Sequence, residues 1–289
     1  MAKLKLKLKE NVKGQFFVDS TCIDCGACRK FAPVNFGATG EFAFVKKQPQ
    51  SSDEELSAKQ ALVACPTASI GTVKKTNLKK AQDSFPLEIN AGIFINGYNS
   101  KDSYGADSYF VKSSAGNWLV DSPRFTKKLV RKFEELGGVK YIFLTHQDDV
   151  ADSDLYAKHF HAQRIIHKLD SHSSKDAEII LSSEKDKIID EGKIIFTPGH
   201  TQGHQVLLWD EKYLFTGDHF AWLNRLNRFG SFRDACWHSW EEQIGSVEKL
   251  RSLTKVQWVF PGHGHRKQVA EKSFDQIIDD AVVWMKSVA

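Results

Sequence analysis

The sequence predicts an α/β chain of two domains, a small cysteine-rich one followed by a larger one of alternating strands and helices. Three observations predict it. The 289 residues exceed one ordinary domain. Four of the five cysteines fall within the first 65 residues. From Leu87 onward, apolar strands alternate with amphipathic helices, the pattern of α/β layering. Composition removes several classes. With 41% hydrophobic and 26% charged residues the chain reads as globular. No apolar run approaches the roughly 18 residues needed to cross a bilayer, and no signal-peptide core is visible, so no membrane partner is expected. A formal charge of +4 is too mild to argue for nucleic acid.

In chain order, Lys3, Lys5, Lys7 and Lys9 alternate with leucines, which predicts a strand with a lysine face. Cys22, Cys25 and Cys28 then form C-x2-C-x2-C, and Cys65 is followed at once by Pro66. Three cysteines at i, i+3 and i+6 are poorly placed to pair with one another. They suit thiolates converging on one inorganic group. A zinc knuckle or buried thiols are the plainer alternatives. The triplet with a remote Cys-Pro instead follows the bacterial ferredoxin pattern of iron–sulfur ligation. In the two-cluster version a fourth cysteine would stand at Ala32, before Pro33, and the positions mirrored around Cys65 are Ala61, Ala58 and Glu55. Over roughly residues 12–73 the chain therefore resembles a one-cluster 4Fe–4S ferredoxin, which implies Cys22, Cys25, Cys28 and Cys65 as ligands. A helix over 53–64 is expected to deliver Cys65. Residues 1–73 are read as this domain, 74–86 (KKTNLKKAQDSFP) as a linker and 87–289 as the second domain.

In the second domain the polar residues share one position, just past the ends of apolar strands. His146 follows FLT, His200 follows FTPG, Asp218 follows LFTG and His263 follows VFPG. Loops at strand ends host chemistry in α/β proteins. Imidazoles and a carboxylate delivered together suit a transition metal.

The runs T-H at 145–146, P-G-H-T-x-G-H at 198–204, T-G-D at 216–218 and P-G-H at 261–263 resemble the metallo-β-lactamase superfamily over roughly residues 87–289. The resemblance implies an αββα sandwich with a metal site at one edge, but the fold hosts hydrolases and oxidoreductases alike. The superfamily's first motif, H-x-H-x-D-H, reads here His146-Gln147-Asp148-Asp149-Val150-Ala151. Asp148 replaces the second His, and two ligands of the second metal become apolar. The resemblance thus leaves the first metal His146, Asp148 and His200, with Asp218 as bridging carboxylate, and the second only Asp218 and His263. Asp149 or Asp152 is expected to rescue that site or act as general base. Their plainer role is capping the helix that follows, with Asp149 as N-cap. The His-x-carboxylate pattern also occurs in the flavodiiron branch, where the metal is iron and the chemistry redox, although Asp148 is shorter than the Glu typical there.

His204, His219 and His265 are expected to support or rim the site rather than ligate. Cys236 is read as buried and inert. Trp222, Trp237 and Trp240 are core or pocket wall, and Asp121, ending the strand NWLV, is expected to support a ligand from behind.

These readings imply one 4Fe–4S cluster and one or two divalent ions, iron or zinc. Three functions compete. In the first, the cluster takes an electron from a soluble redox partner and passes it to a non-haem metal acting on a small molecule. In the second, a zinc centre hydrolyses an ester, thioester or phosphodiester, with Asp149, Asp152 or Asp218 catalytic and the cluster structural or regulatory. In the third, the chain is a non-catalytic electron carrier or sensor. An exposed cluster and free Cys236 suggest a reducing, cytoplasmic setting.

Overall fold

The computed structural model describes residues 2–269 and 272–289. It divides into two compact units. One comprises residues up to 110 together with 123–137, and the other comprises 111–122 and 138–289.

In the first unit, strand Phe16–Val18 pairs antiparallel with Ile70–Thr72, and Phe36–Ala38 forms a hairpin with Ala43–Val45. Helices Ala27–Phe31 and Ser52–Ala64 complete the cysteine-rich part. Ser51 caps the longer helix by accepting from the Glu54 N–H, and Asp53, Glu54 and Glu55 oppose its N-terminal dipole. The helix ends where Cys65 meets Pro66, whose ring disfavours helical backbone in the residue before it. Ala32, Ala58 and Ala61, at positions a second cluster would need as cysteines, are buried. Methyl groups pack in place of ligands.

Two segments differ from the reading of the sequence. Leu4–Leu6 is a 3-10 turn, and Lys7 makes only an isolated bridge to Asp19. The leucines of the alternation have no sheet face to bury against, and Leu4 stays exposed. Residues 74–86 are not featureless: Lys79–Asp83 is helical, and the Phe85 ring stands edge-on to Phe31 and Tyr98.

In the second unit, strands Trp118–Val120, Tyr141–Phe143, Gln163–His167 and Ile179–Leu181 run parallel in that order. A second sheet runs Lys187–Ile189, Gly192–Phe196, Gln205–Trp209, Tyr213–Gly217, Trp258–Pro261 and Lys267–Gln268. Its neighbours are antiparallel except for the pair Tyr213–Gly217 and Trp258–Pro261. The Trp118 ring of the first sheet meets Trp209 of the second at 5.7 Å, so the sheets pack face to face. Helices Trp240–Lys249 and Phe274–Ser287 cover the outer face of the second sheet through Ile244, Val247, Phe274 and Ile278. Helix Ser153–Phe160 lies alongside strand Gln163–His167. This is the α/β layering expected from the alternation of elements.

Candidate cluster pocket and metal centre

Cys22, Cys25, Cys28 and Cys65 line a single pocket in the first unit, with Ile23 and Pro66 among its walls. The backbone is arranged around their sulfurs. Cys22 Sγ accepts from Ala43 N at 3.3 Å and Asp24 N at 3.4 Å, and Cys65 Sγ accepts from Ser69 N at 3.3 Å. Such donors stabilise anionic sulfur. Burial pushes the Cys25 thiol up to about 11 and Cys28 well above its ordinary value, against smaller opposing contributions. Burial thus keeps bare Cys25 and Cys28 protonated, and bound iron would displace those protons. Four converging sulfurs with N–H groups aimed at three of them, Cys22, Cys25 and Cys65, fit a 4Fe–4S cluster.

A part of this pocket escaped the sequence reading. Gly105 lies against Cys25, and a Cβ there would stand 2.8 Å from the sulfur and 2.9 Å from Pro66. Its φ of +84° independently favours glycine. The Tyr104 hydroxyl donates to the Ile23 carbonyl at 2.7 Å. Lys30 and Asp107 form a buried ion pair at 2.8 Å, and Asn99 Nδ2 donates to Asp107 Oδ1 at 2.9 Å. Residues 99–107 therefore back the pocket by packing against Cys25, Pro66 and Ile23, which line it. No spacing motif ties them to the cysteines, so only the folded chain reveals them.

In the second unit the strand ends bring the predicted ligands together. His146 lies just past Tyr141–Phe143, His200 just past Gly192–Phe196, and Asp218 directly after Tyr213–Gly217. His146, Asp148 and His200 offer ligand atoms within 4.8 Å of one another, and so do His146, Asp149 and Asp218. His146 Nε2 and His200 Nε2 stand 3.8 and 3.7 Å from Asp148 Oδ2, and 4.0 and 3.9 Å from Asp218 Oδ2. These distances are too long for hydrogen bonds. They lie near the ligand–ligand spacing of about 3–3.5 Å that metal bonds of about 2.0–2.2 Å would impose. His146 Nε2, His200 Nε2 and Asp148 Oδ2 are buried atoms with no hydrogen-bond partner among the described residues. Burial first, then neighbouring His200, holds the His146 pKa down to about 3, so the ring is neutral with a lone pair to give. For Asp218, burial opposes ionisation, but His263, His146 and His200 together hold its carboxyl well below the usual range. The donor set fits a transition metal.

The support behind the ligands is specific. Thr145 Oγ1 stands 2.9 Å from His146 Nδ1 and 3.0 Å from both Asp121 oxygens, while Thr145 N donates to Asp121 Oδ1 at 2.8 Å. When His146 ligates through Nε2, Nδ1–H donates to Thr145, whose hydroxyl donates to Asp121. Asp121 thus reaches His146 through Thr145, not directly. Gly217, at φ +48°, leaves room for that hydroxyl; a Cβ would stand 2.4 Å from it. Asp170 was missed altogether. Buried, it accepts from Thr201 Oγ1 at 2.5 Å, Gly203 N at 2.9 Å and Gln147 N at 3.2 Å, tying the loop of His200 to that of Asp148. An aspartate in a polar loop after a strand carries no distinguishing sequence signal.

Other candidates fall outside both trios. His263 Nδ1 donates to the Asp218 carboxylate at 2.8–2.9 Å. Asp152, rather than Asp149, occupies the N-cap position of helix Ser153–Phe160, without a side-chain cap hydrogen bond. His204 is buried, paired with Thr197 Oγ1 through Nδ1 and stacked on buried His219 at 5.0 Å. His265 pairs through its backbone with Trp222. Trp240 is core, while Trp237 is 65% exposed with its ring 6.4 Å from His200. Cys236 is half-buried, its thiol donating to the Gly199 carbonyl.

Residues 18–72 match the family model described as the 4Fe-4S single cluster domain of Ferredoxin I. Among solved structures, the DIM-1 metallo-β-lactamase is 15% identical over 70% of this chain and 96% of that one, with a TM-score of 0.55. The chain carries a single-cluster ferredoxin domain and a metallo-β-lactamase fold. TMB-1 covers the same shares at 16% identity and TM-score 0.56. A metallo-β-lactamase from Hirschia baltica is 14% identical over 69% of this chain and 96% of that one, at TM-score 0.54. At such identities the likeness establishes fold alone. No curated protein matches the chain. Among the described residues, no helix is long and apolar enough to cross a membrane.

Proposed function

We propose that the chain is a redox metalloenzyme whose ferredoxin domain supplies electrons to a non-haem iron in the metallo-β-lactamase-fold domain, acting on a small molecule. One observation carries the reading. His146, His200 and Asp148 make two imidazoles and one carboxylate, a donor set used by non-haem iron with open coordination positions. Iron bound there would supply a one-electron couple and sites for substrate. The chain's own residues hold it. Thr145 and Asp121 fix the His146 ring and keep the proton on Nδ1, and Asp170 fixes the His200 loop. Asp148, with a side chain 43% exposed, marks the side open to substrate and solvent. The domain pairing adds support, because a cluster has no evident task in a simple hydrolase. A soluble electron carrier and a cytoplasmic setting complete the proposal.

A second reading is zinc-dependent hydrolysis of an ester, thioester or phosphodiester. The trio of His146, buried Asp149 and Asp218 favours it by supplying a carboxylate beside the positions where Val150 and Ala151 replace the motif's Asp and His. Zinc so held would generate hydroxide near neutral pH.

Metal and sulfide analysis of anaerobically purified protein, with electron paramagnetic resonance before and after reduction, separates the two. Iron beyond the cluster's complement, with a non-haem signal that responds to reduction, upholds redox function. Zinc alone in the second domain overturns it in favour of hydrolysis.

A further inference from the structure

The lysine-rich opening segment plays no part in either site. Residues 1–50 carry nine Lys or Arg against four Asp or Glu, a formal +5, while the remainder of the chain sums to −1. Within this stretch Lys3, Lys5, Lys9, Lys13 and Lys46 are exposed. Among the described residues no salt bridge involves any of the five, whereas Arg29 pairs with Asp24, Lys30 with Asp107 and Lys47 with Glu54. The local acids do little to offset them. Asp19 is buried and hydrogen-bonded by Lys3 N and Thr21, and Asp24 is taken by Arg29. Glu10 and Glu41 are the other two acids of the stretch.

The fold gathers these lysines beside the cluster loop. Lys3 N donates to the Asp19 carboxylate, Lys7 bridges to Asp19, and Ser20 N donates to the Leu6 carbonyl. The opening turn is thereby fastened to the segment leading into Cys22. Asn11 is buried and binds both Val18 and Val45 backbones, and Val12 N donates to the Val45 carbonyl, which brings Lys13 to the end of the hairpin that carries Lys46. That hairpin also gives Cys22 its Ala43 N–H. Cys22, Ile23, Cys25 and Gly26 are half-exposed, unlike buried Cys28 and Cys65, so this loop is the edge by which an electron reaches the cluster with least protein in the way.

We infer that this lysine fringe is the docking surface for an acidic, soluble electron-carrier protein that reduces the cluster. The inference rests on the redox reading of the ferredoxin domain and names its partner. Charge complementarity around an electron-entry edge speeds encounter and orients the carrier, and it weakens with salt. A nucleic acid or anionic membrane would use the lysines without needing the half-exposed cysteines beside them. In the transfer, one electron leaves the carrier's anionic flavin hydroquinone, which becomes the neutral semiquinone, and the oxidised cluster is reduced by one.

The test uses the full cluster-loaded protein and a strongly acidic flavodoxin in its hydroquinone form, with the cluster's visible absorbance followed by stopped flow. A small uncharged photoreductant, a deazaflavin radical, serves as reference. The comparison variant is Lys3→Gln/Lys5→Gln/Lys9→Gln/Lys13→Gln/Lys46→Gln, in which no exchanged side chain forms an ion pair among the described residues. The expected result is a second-order rate with flavodoxin that falls with salt and is about tenfold lower in the variant at low salt, while the deazaflavin rate and the cluster spectrum stay unchanged. Equal flavodoxin rates for both proteins, or a rate that rises with salt, overturn the docking surface while leaving the redox cluster intact. Equal rates combined with variant-sensitive binding to phosphatidylglycerol vesicles or duplex DNA assign the lysines to a polyanion and overturn it likewise. A cluster that deazaflavin cannot reduce removes the redox reading itself, and the docking proposal with it.

Discussion

The two candidate sites are built by opposite strategies. The cluster pocket draws three of its four ligands from seven consecutive residues, Cys22 to Cys28, and wraps them with backbone N–H groups. The metal centre draws its ligands from separate strand ends between His146 and Asp218, and steadies them through buried side chains. A site built locally fails when one loop is damaged. A site assembled by topology depends on residues distant in sequence that never touch the metal. This contrast can be broken at either end.

The largest expected effect is at the local site. Cys65→Ala removes the one ligand supplied from outside the loop, and we expect complete loss of sulfide and of the cluster's iron, read by metal and sulfide analysis, with iron of the second domain retained. Gly105→Val attacks the same pocket from the 99–107 backing. It is expected to load a cluster that bleaches several-fold faster in air, because a branched side chain must displace Cys25 or Pro66. Wild-type stability of the cluster in Gly105→Val would show that the backing plays no part.

At the distributed site, His146 belongs to both trios and Asp148 to one. His146→Ala is therefore expected to abolish metal binding in the second domain. Asp148→Asn should retain a weaker site if the Asp149–Asp218 trio operates. Titration with Co2+, followed by its ligand-field spectrum, distinguishes these cases. Equal loss in both variants would reduce the centre to a single trio.

The reach of the sequence follows the same division. The cysteine spacing is a chemical signature, and without any knowledge of the fold it singled out the four cysteines that line one pocket. His146, Asp148 and His200, which the fold brings together as a candidate trio, were also singled out, because strand-end polar residues stand out against apolar runs. Asp149 appeared only as one of two alternatives. Burial beside His146 and Asp218 distinguishes it from Asp152, and burial depends on how the 146–153 loop turns. Asp170 and the backing at 99–107 were invisible, since their roles consist of hydrogen bonds and close packing to residues far away in sequence. The lysine alternation misled for a related reason. Period two specifies a strand only where a sheet offers it a face, and Leu4–Leu6 found none.

Acid provides a third comparison, because His146, His200, His204 and His219 are buried, whereas His159, His161, His172 and His238 are exposed. Burial lowers the pKa of His219 to about 3, below its ordinary value of 6.5. A base with a depressed pKa contributes stability above its unfolded value and loses it as pH falls toward the folded one. The window here is about 6.5 down to 3. At pH 4 the cost for one such ring is on the order of 3 kcal/mol. His219→Phe, a ring of similar size in a position outside both trios, is expected to flatten the metal-free protein's loss of stability between pH 6.5 and 4. Urea midpoints across that range check it, and an unchanged slope would mean that His219 does not stay neutral in the fold.

The smallest effect isolates support from ligation. Thr145→Val keeps the shape of the side chain but removes the hydroxyl that joins His146 Nδ1 to Asp121. Every ligand remains. Loss of such a partner typically costs 10–100-fold in metal affinity, and we expect a decrease in that range for Zn2+ measured by competition with a chromophoric chelator. Thr145→Ser, which restores the hydroxyl, should recover most of it. Recovery in Ser but not Val would place the effect on the hydrogen bond rather than on packing, because Ser lacks the methyl group that Val keeps. The converse pattern would mean that His146 is oriented by the walls around it and that Asp121 contributes only through its bond to the Thr145 backbone.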